Sequence, residues 1–334
     1  MSEWSVTEPR KFTFDAPVET LHVRIANGAV NVVGVEEGPA RLQVSEIHGP
    51  PLTVSESGGA LTVAYGDLSW RGLLGWLDPL GWRRRSAVVS LAVPACTLVE
   101  VGVVEAGAVV SGIEGRAEVR GVSGDITLVG CSGAVSAETV SGGVEAQGLS
   151  GDLRFKSVSG DLTVVDGSGT SVKADSVSGS MIVDLTADAT EESGGATRVA
   201  LASVSGEIAI RLPHPANTEV EANTTGGTVS NAFEDLRVSG QWGTKKITGR
   251  LGSGKGRLKA TTVSGSIALL RRPPEEDAGP RPAPPEPPEP GDTPGGGPGD
   301  GPGDAPRDAP VGPGGPPRGP EDAHADVPTD GKVL

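Results

Sequence analysis

Apolar and polar residues alternate with a period of two along much of the chain. In "VSGDITLV", Val122, Gly124, Ile126 and Leu128 fall on one side, and the intervening residues fall on the other. The same alternation returns in "VSGDLTVV" and "VSGEIAIR". Period two is typical of a β-strand with one buried face. The pattern predicts strands, with the valine and glycine of Val-Ser-Gly on the buried side.

The Ser-Gly pair recurs every nine residues, at Ser123, Ser132, Ser141, Ser150, Ser159 and Ser168. The fuller Val-Ser-Gly signature is sparser and begins at Val122, Val140, Val158, Val177, Val204 and Val263. Five or six strand residues and a three-residue corner fill nine positions. We expect Ser-Gly to form the corner, because glycine accepts a positive φ and serine can bond nearby backbone.

A fixed period of one strand and one corner predicts a repeat coil. The fold expected is all-β, a flattened β-solenoid with about two strands per rung of 18–19 residues. Its rungs would be about 4.8 Å apart and its two inward faces about 10 Å apart. A three-sided coil and a β-sandwich with long meanders are the alternatives.

Composition divides the chain. Residues 273–334 contain 19 of the 28 prolines, 13 acidic and 4 basic residues, and therefore -9 of the net charge of -15. These residues have too little apolar surface to offset the loss of conformational entropy on folding. They are therefore predicted to be a disordered, acidic Pro/Gly-rich tail. Residues 12–272 are expected to form the solenoid domain, and residues 1–11 an N-terminal extension.

A family resemblance is carried by "FDAPVETLHVRIANGAVNVVG", "VSLAVP" and the serial "VSGDI/VSGDL" units. Together these resemble the bacterial putative-adhesin domain family of unknown function, over roughly residues 12–270. The resemblance implies a β-solenoid-like fold without known catalytic residues. It also implies a description as an adhesin, which for this family is based on the architecture of the fold.

The residue after each Val-Ser-Gly could form a column of calcium ligands. The column reads Asp125, Gly143, Asp161, Ser180, Glu207 and Ser266. Its acids skip rungs and would stand about 10 Å apart, so neighbouring rungs could not share a cation. We therefore predict turn chemistry here, and no metal or cofactor.

Catalysis and nucleic-acid binding are not expected. His22, His48, His214 and His324 are isolated in sequence and form no nucleophile-base spacing. Residues 1–272 have a net charge of -6, so we expect no nucleic-acid partner. A carbohydrate-active solenoid enzyme is the less favoured alternative.

One segment interrupts the strands: "LSWRGLLGWLDPLGWRRRS", residues 68–86. Its apolar and basic side chains could contact anionic lipid or dock a protein partner, or they could cap an open end of the coil. The candidate contact residues are Trp70, Leu73, Leu74, Trp76, Leu77, Trp82, Arg83, Arg84 and Arg85.

The cellular location is predicted from the absence of a recognisable export signal and from the number of cysteines. The N-terminus has no apolar signal region, and no run of 18 apolar residues is found. Cys96 and Cys131 are expected to be small core residues in a reducing cytoplasm. The predicted function is a non-catalytic, cytoplasmic binding or scaffold protein, with a location peripheral to the membrane as a further option. A self-assembling structural protein that polymerises end to end is the alternative.

Overall fold

The computed structural model describes residues 2–65, 85–169, 171–186, 197–241 and 243–273. These residues contain 24 strands and no helix, so the predicted all-β class is confirmed. The N-terminal strands are β1 (Ser2–Val6), β2 (Arg10–Phe14), β3 (Thr20–Val35), β4 (Ala40–His48), β5 (Leu52–Ser57), β6 (Ala60–Tyr65), β7 (Ser86–Pro94) and β8 (Leu98–Ser111).

The middle of the chain contains short strands of four to six residues. They are β9 (Ala117–Gly121), β10 (Ile126–Val129), β11 (Val135–Thr139), β12 (Val144–Gln147), β13 (Leu153–Ser157), β14 (Leu162–Gly167), β15 (Ser171–Asp175), β16 (Met181–Leu185), β17 (Arg198–Ser203) and β18 (Ile208–Leu212). The C-terminal strands are β19 (Thr218–Thr224), β20 (Val229–Asn231), β21 (Leu236–Gln241), β22 (Thr244–Leu251), β23 (Gly256–Thr262) and β24 (Ile267–Arg271).

The middle strands pair in parallel with the strand two further along the chain. This pairing gives two ladders. The first ladder runs β9, β11, β13, β15, β17. The second runs β10, β12, β14, β16, β18. Within the second ladder Ile126 pairs with Val144, and Val144 with Leu162, in one buried column.

Alternate side chains of both ladders enter one buried apolar cluster. Strand β12 shows the pattern, since Val144 and Ala146 are buried while Glu145 and Gln147 are exposed. Small aliphatic side chains fill this core, with Phe155 as a large exception. Of the two predicted core cysteines, Cys131 is buried, but Cys96 is exposed in the turn after β7.

The order of rungs at both ends differs from the order along the chain. Strand β3 lies between β8 on one side and β6 and β7 on the other. At the other end, β23 lies between β17 and β19, and β24 lies between β18 and β20. In both places a parallel rung is inserted one position inside the end of the stack.

Antiparallel strands flank the parallel region. Strand β5 pairs with β6 and with β1, while β4 pairs with β7 and with β2. Strands β1 and β2 contain residues that the sequence assigned to an N-terminal extension, and both are paired in the sheet. At the C-terminal end, β22 pairs with β19 and β21 pairs with β22.

Candidate binding surfaces

The serine of each Val-Ser-Gly corner binds the preceding rung twice. The Ser141 amide donates to the carbonyl oxygen of Val122 at 2.9 Å, and its hydroxyl donates to the same oxygen at 3.2 Å. Ser159 repeats the pair of contacts on Val140. The serine column therefore connects successive rungs along one edge.

The glycine of each corner is required by close packing, not by a positive φ. A Cβ on Gly142 would lie 2.0 Å from the carbonyl oxygen of Gly124, and one on Gly160 would lie 2.2 Å from that of Gly142. None of these three glycines has a positive φ. The reason expected from the sequence is therefore wrong. Adjacent backbones approach so closely at the corner that no side chain fits.

A third column of corner residues escaped the sequence interpretation. The residue before each Val-Ser-Gly is usually serine or threonine, and its oxygen accepts a hydrogen bond from the amide of the glycine three residues later. Thr262 Oγ1 accepts from Gly265 at 3.1 Å, and Ser176 Oγ accepts from Gly179 at 2.9 Å. These side chains are buried. The signal was visible in the sequence, as Thr or Ser one position before the repeated valine.

Two of the three acids in the candidate ligand column, Asp125 and Asp161, bind backbone amides. Asp125 Oδ1 accepts from the Gly143 amide at 2.9 Å, and Asp161 Oδ1 accepts from the Ser180 amide at 2.7 Å. Each carboxylate thus satisfies a donor in the next rung, which is the turn chemistry that the sequence favoured. Within the described ranges, no group of three or more His, Cys, Asp or Glu side chains is placed to hold one metal ion.

The valines of Val-Ser-Gly point outward, contrary to the alternation seen in the sequence. The corner breaks the period of two, so these valines are half-exposed although the strand residues that follow are buried. We call the five most exposed of them the valine ridge: Val140 (47%), Val158 (52%), Val177 (50%), Val204 (48%) and Val263 (51%). They occupy equivalent corners in successive rungs, because each valine carbonyl accepts from the next corner along the stack.

The outward face of the first ladder, here called the charged face, has two different regions. Near its N-terminal end, opposite charges alternate: Arg120 pairs with Glu118 and with Glu138, and Lys156 Nζ lies 3.2 Å from Glu138 Oε1. A shallow depression of water size lies beside Gly102, lined by His22 and Glu100, whose Nδ1 and Oε2 atoms are 2.9 Å apart. This part of the face neutralises its own charges.

Further along, the charged face is dominated by cations. We call the exposed basic side chains on β13, β15, β17 and β23 that lie beyond the Lys156–Glu138 ion pair the basic patch: Arg154, Lys173, Arg198, Arg257 and Lys259. Like charges stand directly opposite in register, Arg154 with Lys173 and Arg198 with Arg257. Such pairs destabilise a sheet.

Carboxylates border the basic patch. Asp175 Oδ2 lies 3.9 Å from Lys173 Nζ, and Glu219 and Glu221 stand opposite Arg257 and Lys259. The hydrogen bond from Lys246 lowers the pKa of Glu221, and the Asn223 amide and the Lys259 charge act in the same direction. Glu221 is therefore held in its charged form at the border of the patch.

Sequence reasoning missed the basic patch because it considered only net charge. Arg198 and Arg257 are 59 positions apart and become neighbours only because β23 is inserted beside β17. The alternation of Arg154 and Lys156 in β13 was a local sign of an outward basic strand. No local sign predicts the insertion.

Of the candidate contact residues, Trp70, Leu73, Leu74, Trp76, Leu77, Trp82, Arg83 and Arg84 lie outside the described residues. Arg85 is described, and its carbonyl oxygen accepts from Asn27 Nδ2 at 3.0 Å. Burial raises the pKa of nearby Tyr65, although the Arg85 charge opposes that change. The Tyr65 hydroxyl is buried and has no hydrogen-bond partner among the described residues.

No helix in the described ranges is long and apolar enough to cross a membrane.

Comparison with known proteins gives only distant structural likenesses. No protein-family model matches the chain, and no curated protein matches it. A solved structure titled a putative cell adhesion protein, from Clostridium sporogenes ATCC 15579, is 14% identical over 79% of this chain and 100% of its own, with a TM-score of 0.26. A structure titled a putative adhesin, from Parabacteroides merdae ATCC 43184, is 10% identical over 79% of this chain and 95% of its own, with a TM-score of 0.34.

Proposed function

We propose that this chain is a non-catalytic binding or scaffold protein that docks a protein partner on its valine ridge. The observation that carries the proposal is the exposure of the same apolar side chain at five equivalent corners. An aligned set of exposed apolar side chains is typical of an interaction site. Five of the ten large apolar residues that are exposed among the described residues belong to this ridge.

The valine side chain is not needed for the corner itself. The corner uses the carbonyl of Val140, which accepts from the amide and hydroxyl of Ser159, while the Val140 side chain faces solvent. Threonine has nearly the same shape and the same branching at Cβ, so it would preserve backbone preference while removing apolar surface. All six Val-Ser-Gly corners have valine at this position, whereas the equivalent corner after β19 has Thr225.

A non-catalytic role is supported by what the reactive side chains do in the corners. Serine hydroxyls donate to carbonyls of the preceding rung, and Asp125 and Asp161 accept from amides of the next rung. These groups hold rungs together. We further propose a cytoplasmic location, with residues 68–86 as a second contact for a partner or for the inner membrane surface.

The test compares three forms of the full chain in quantitative capture of partners from the source cells. The ridge variant changes all five ridge valines to threonine. The matched control changes the five other exposed apolar residues to threonine: Leu98, Val109, Ile182, Val238 and Leu270. A protein retained stoichiometrically by the wild type and the control, but not by the ridge variant, and reproduced with purified components, supports the proposal. Equal binding by all three forms would refute it.

End-to-end self-assembly is the second candidate function, favoured by open strand edges. Strand β21 pairs on one side only within the described chain, and its residues 237–241 are exposed. Strands β1 and β2 are edges at the other end, each paired with one neighbour there. Unpaired edges can pair with another chain. Sedimentation velocity at several concentrations tests this, and a strict monomer rejects it.

A further inference from the structure

We propose that the basic patch binds the surface of an anionic phospholipid bilayer. Its five cations are exposed on four adjacent strands, and Asp175 is the one acid on those strands. Glu138 on the adjoining β11 pairs with Lys156 at one border. The strands span about 14 Å across the ladder at the usual strand spacing. This surface is separate from the valine ridge, so the proposal is independent of that one.

The arrangement of charges distinguishes the patch from an ordinary solvated face. On the adjoining strands β9 and β11, Glu118, Arg120 and Glu138 alternate in sign and form ion pairs. In the patch, Arg154 and Lys173 are opposite each other, as are Arg198 and Arg257. Repulsion between these cations is relieved when an anionic surface is bound.

The shape of the patch favours a planar partner. Its cations are spread in two dimensions, along the strands and across the ladder, so a line of charges would meet only some of them. Between Lys173 and Lys259, β17 presents only the small side chain of Ala200, which leaves the surface low and open. The patch strands are paired on both sides, so no strand edge is available for adding a peptide.

The inserted rung creates this site. Without β23 beside β17, Arg198 would lie next to β19, which carries Glu219 and Glu221. Insertion moves those carboxylates one strand away and adds Arg257 and Lys259. The topology therefore separates a basic region from an acidic border on a chain whose net charge is -15.

The experiment measures co-sedimentation of the full chain with phosphatidylcholine vesicles, with and without phosphatidylglycerol. The patch variant changes Arg154, Arg198 and Arg257 to glutamine. We expect wild-type binding only to the anionic vesicles, weakening as salt rises. Each basic residue near such a surface changes partitioning about fivefold, so the patch variant should bind about a hundredfold more weakly.

The matched control removes three exposed cations elsewhere, Lys11, Arg41 and Lys255, and should bind within severalfold of wild type. Because all substituted side chains are exposed, circular dichroism should show unchanged folding. A Trp70, Trp76 and Trp82 to serine variant separates this site from residues 68–86, and should retain most of the binding. The proposal is overturned if the wild type does not bind the anionic vesicles, or if the patch and control variants bind them equally. It is also overturned if the wild type binds polygalacturonate or duplex DNA more tightly than the vesicles.

Discussion

The close approach of glycines at the corners makes a sharp prediction for Gly142→Ala. The new Cβ would lie 2.0 Å from the carbonyl oxygen of Gly124 and 2.8 Å from its carbon. Ordinary contact begins near 3.4 Å, so neighbouring backbones must separate locally by more than 1 Å. Folded proteins do not hold a Cβ and a carbonyl oxygen at 2.0 Å, so the rung that contains residue 142 must move away from the preceding rung.

Opening the rung breaks hydrogen bonds that cross the corner. Two of them join this rung to the preceding one: the Ser141 amide donates to the Val122 carbonyl oxygen at 2.9 Å, and the Gly143 amide donates to Asp125 Oδ1 at 2.9 Å. Each is worth about 1 kcal/mol. With the strain of overpacking, we expect Gly142→Ala to destabilise the fold by roughly 3–5 kcal/mol.

Gly143→Ala is the matched control, one residue away. Its Cβ would lie 3.4 Å from Asp125 Oδ1, which is ordinary contact, and Gly143 does not have a positive φ. We expect a change of less than about 1 kcal/mol. Urea unfolding followed by circular dichroism, with amide exchange to locate the opening, gives both values. Equal stabilities for the two variants would show that corner packing does not require glycine.

Three further predictions concern buried polar groups. Thr262→Val removes the acceptor of the Gly265 amide and should destabilise by about 1–3 kcal/mol in urea, whereas Thr262→Ser should cost much less; equal effects would contradict the role of the hydroxyl. Tyr65→Phe removes a buried hydroxyl without a partner among the described residues and should raise the melting temperature; a marked fall would show that the hydroxyl is bonded. Burial raises the pKa of Cys131, so folded protein should lose stability as pH rises above about 8.5, where the unfolded thiol ionises, and iodoacetamide should label Cys96 first; a Cys131→Ala variant with the same alkaline slope would exclude the thiol as its source.

The repeats allowed the middle of the fold to be predicted well. Each 18-residue unit places equivalent residues at equivalent heights, so local periodicity sufficed to align Ile126, Val144 and Leu162. The outward valines were mispredicted because alternation was extended through a corner, where the backbone changes direction. Burial of Val122 or Val140 is decided by that turn and not by the strand that follows.

The ends and the basic patch could not be predicted for a different reason. The residues of β23 contain no pattern that predicts its insertion between β17 and β19, as opposed to pairing outside β19 at the end of the stack. That choice depends on the competing partners β19 and β22, which are selected by the whole assembly. A charge pattern that arises from such pairing is invisible to counts of acidic and basic residues.

The inserted terminal rungs limit how this molecule can change in length. A coil that simply ended could gain or lose units at its tips, but here β3 and β24 are each held between two other rungs. Duplicating a tip would leave the displaced rung without one of its neighbours. If related proteins contain more or fewer repeat units, the added or deleted units should therefore lie between β9 and β18, where one repeat unit can stack on another of the same structure.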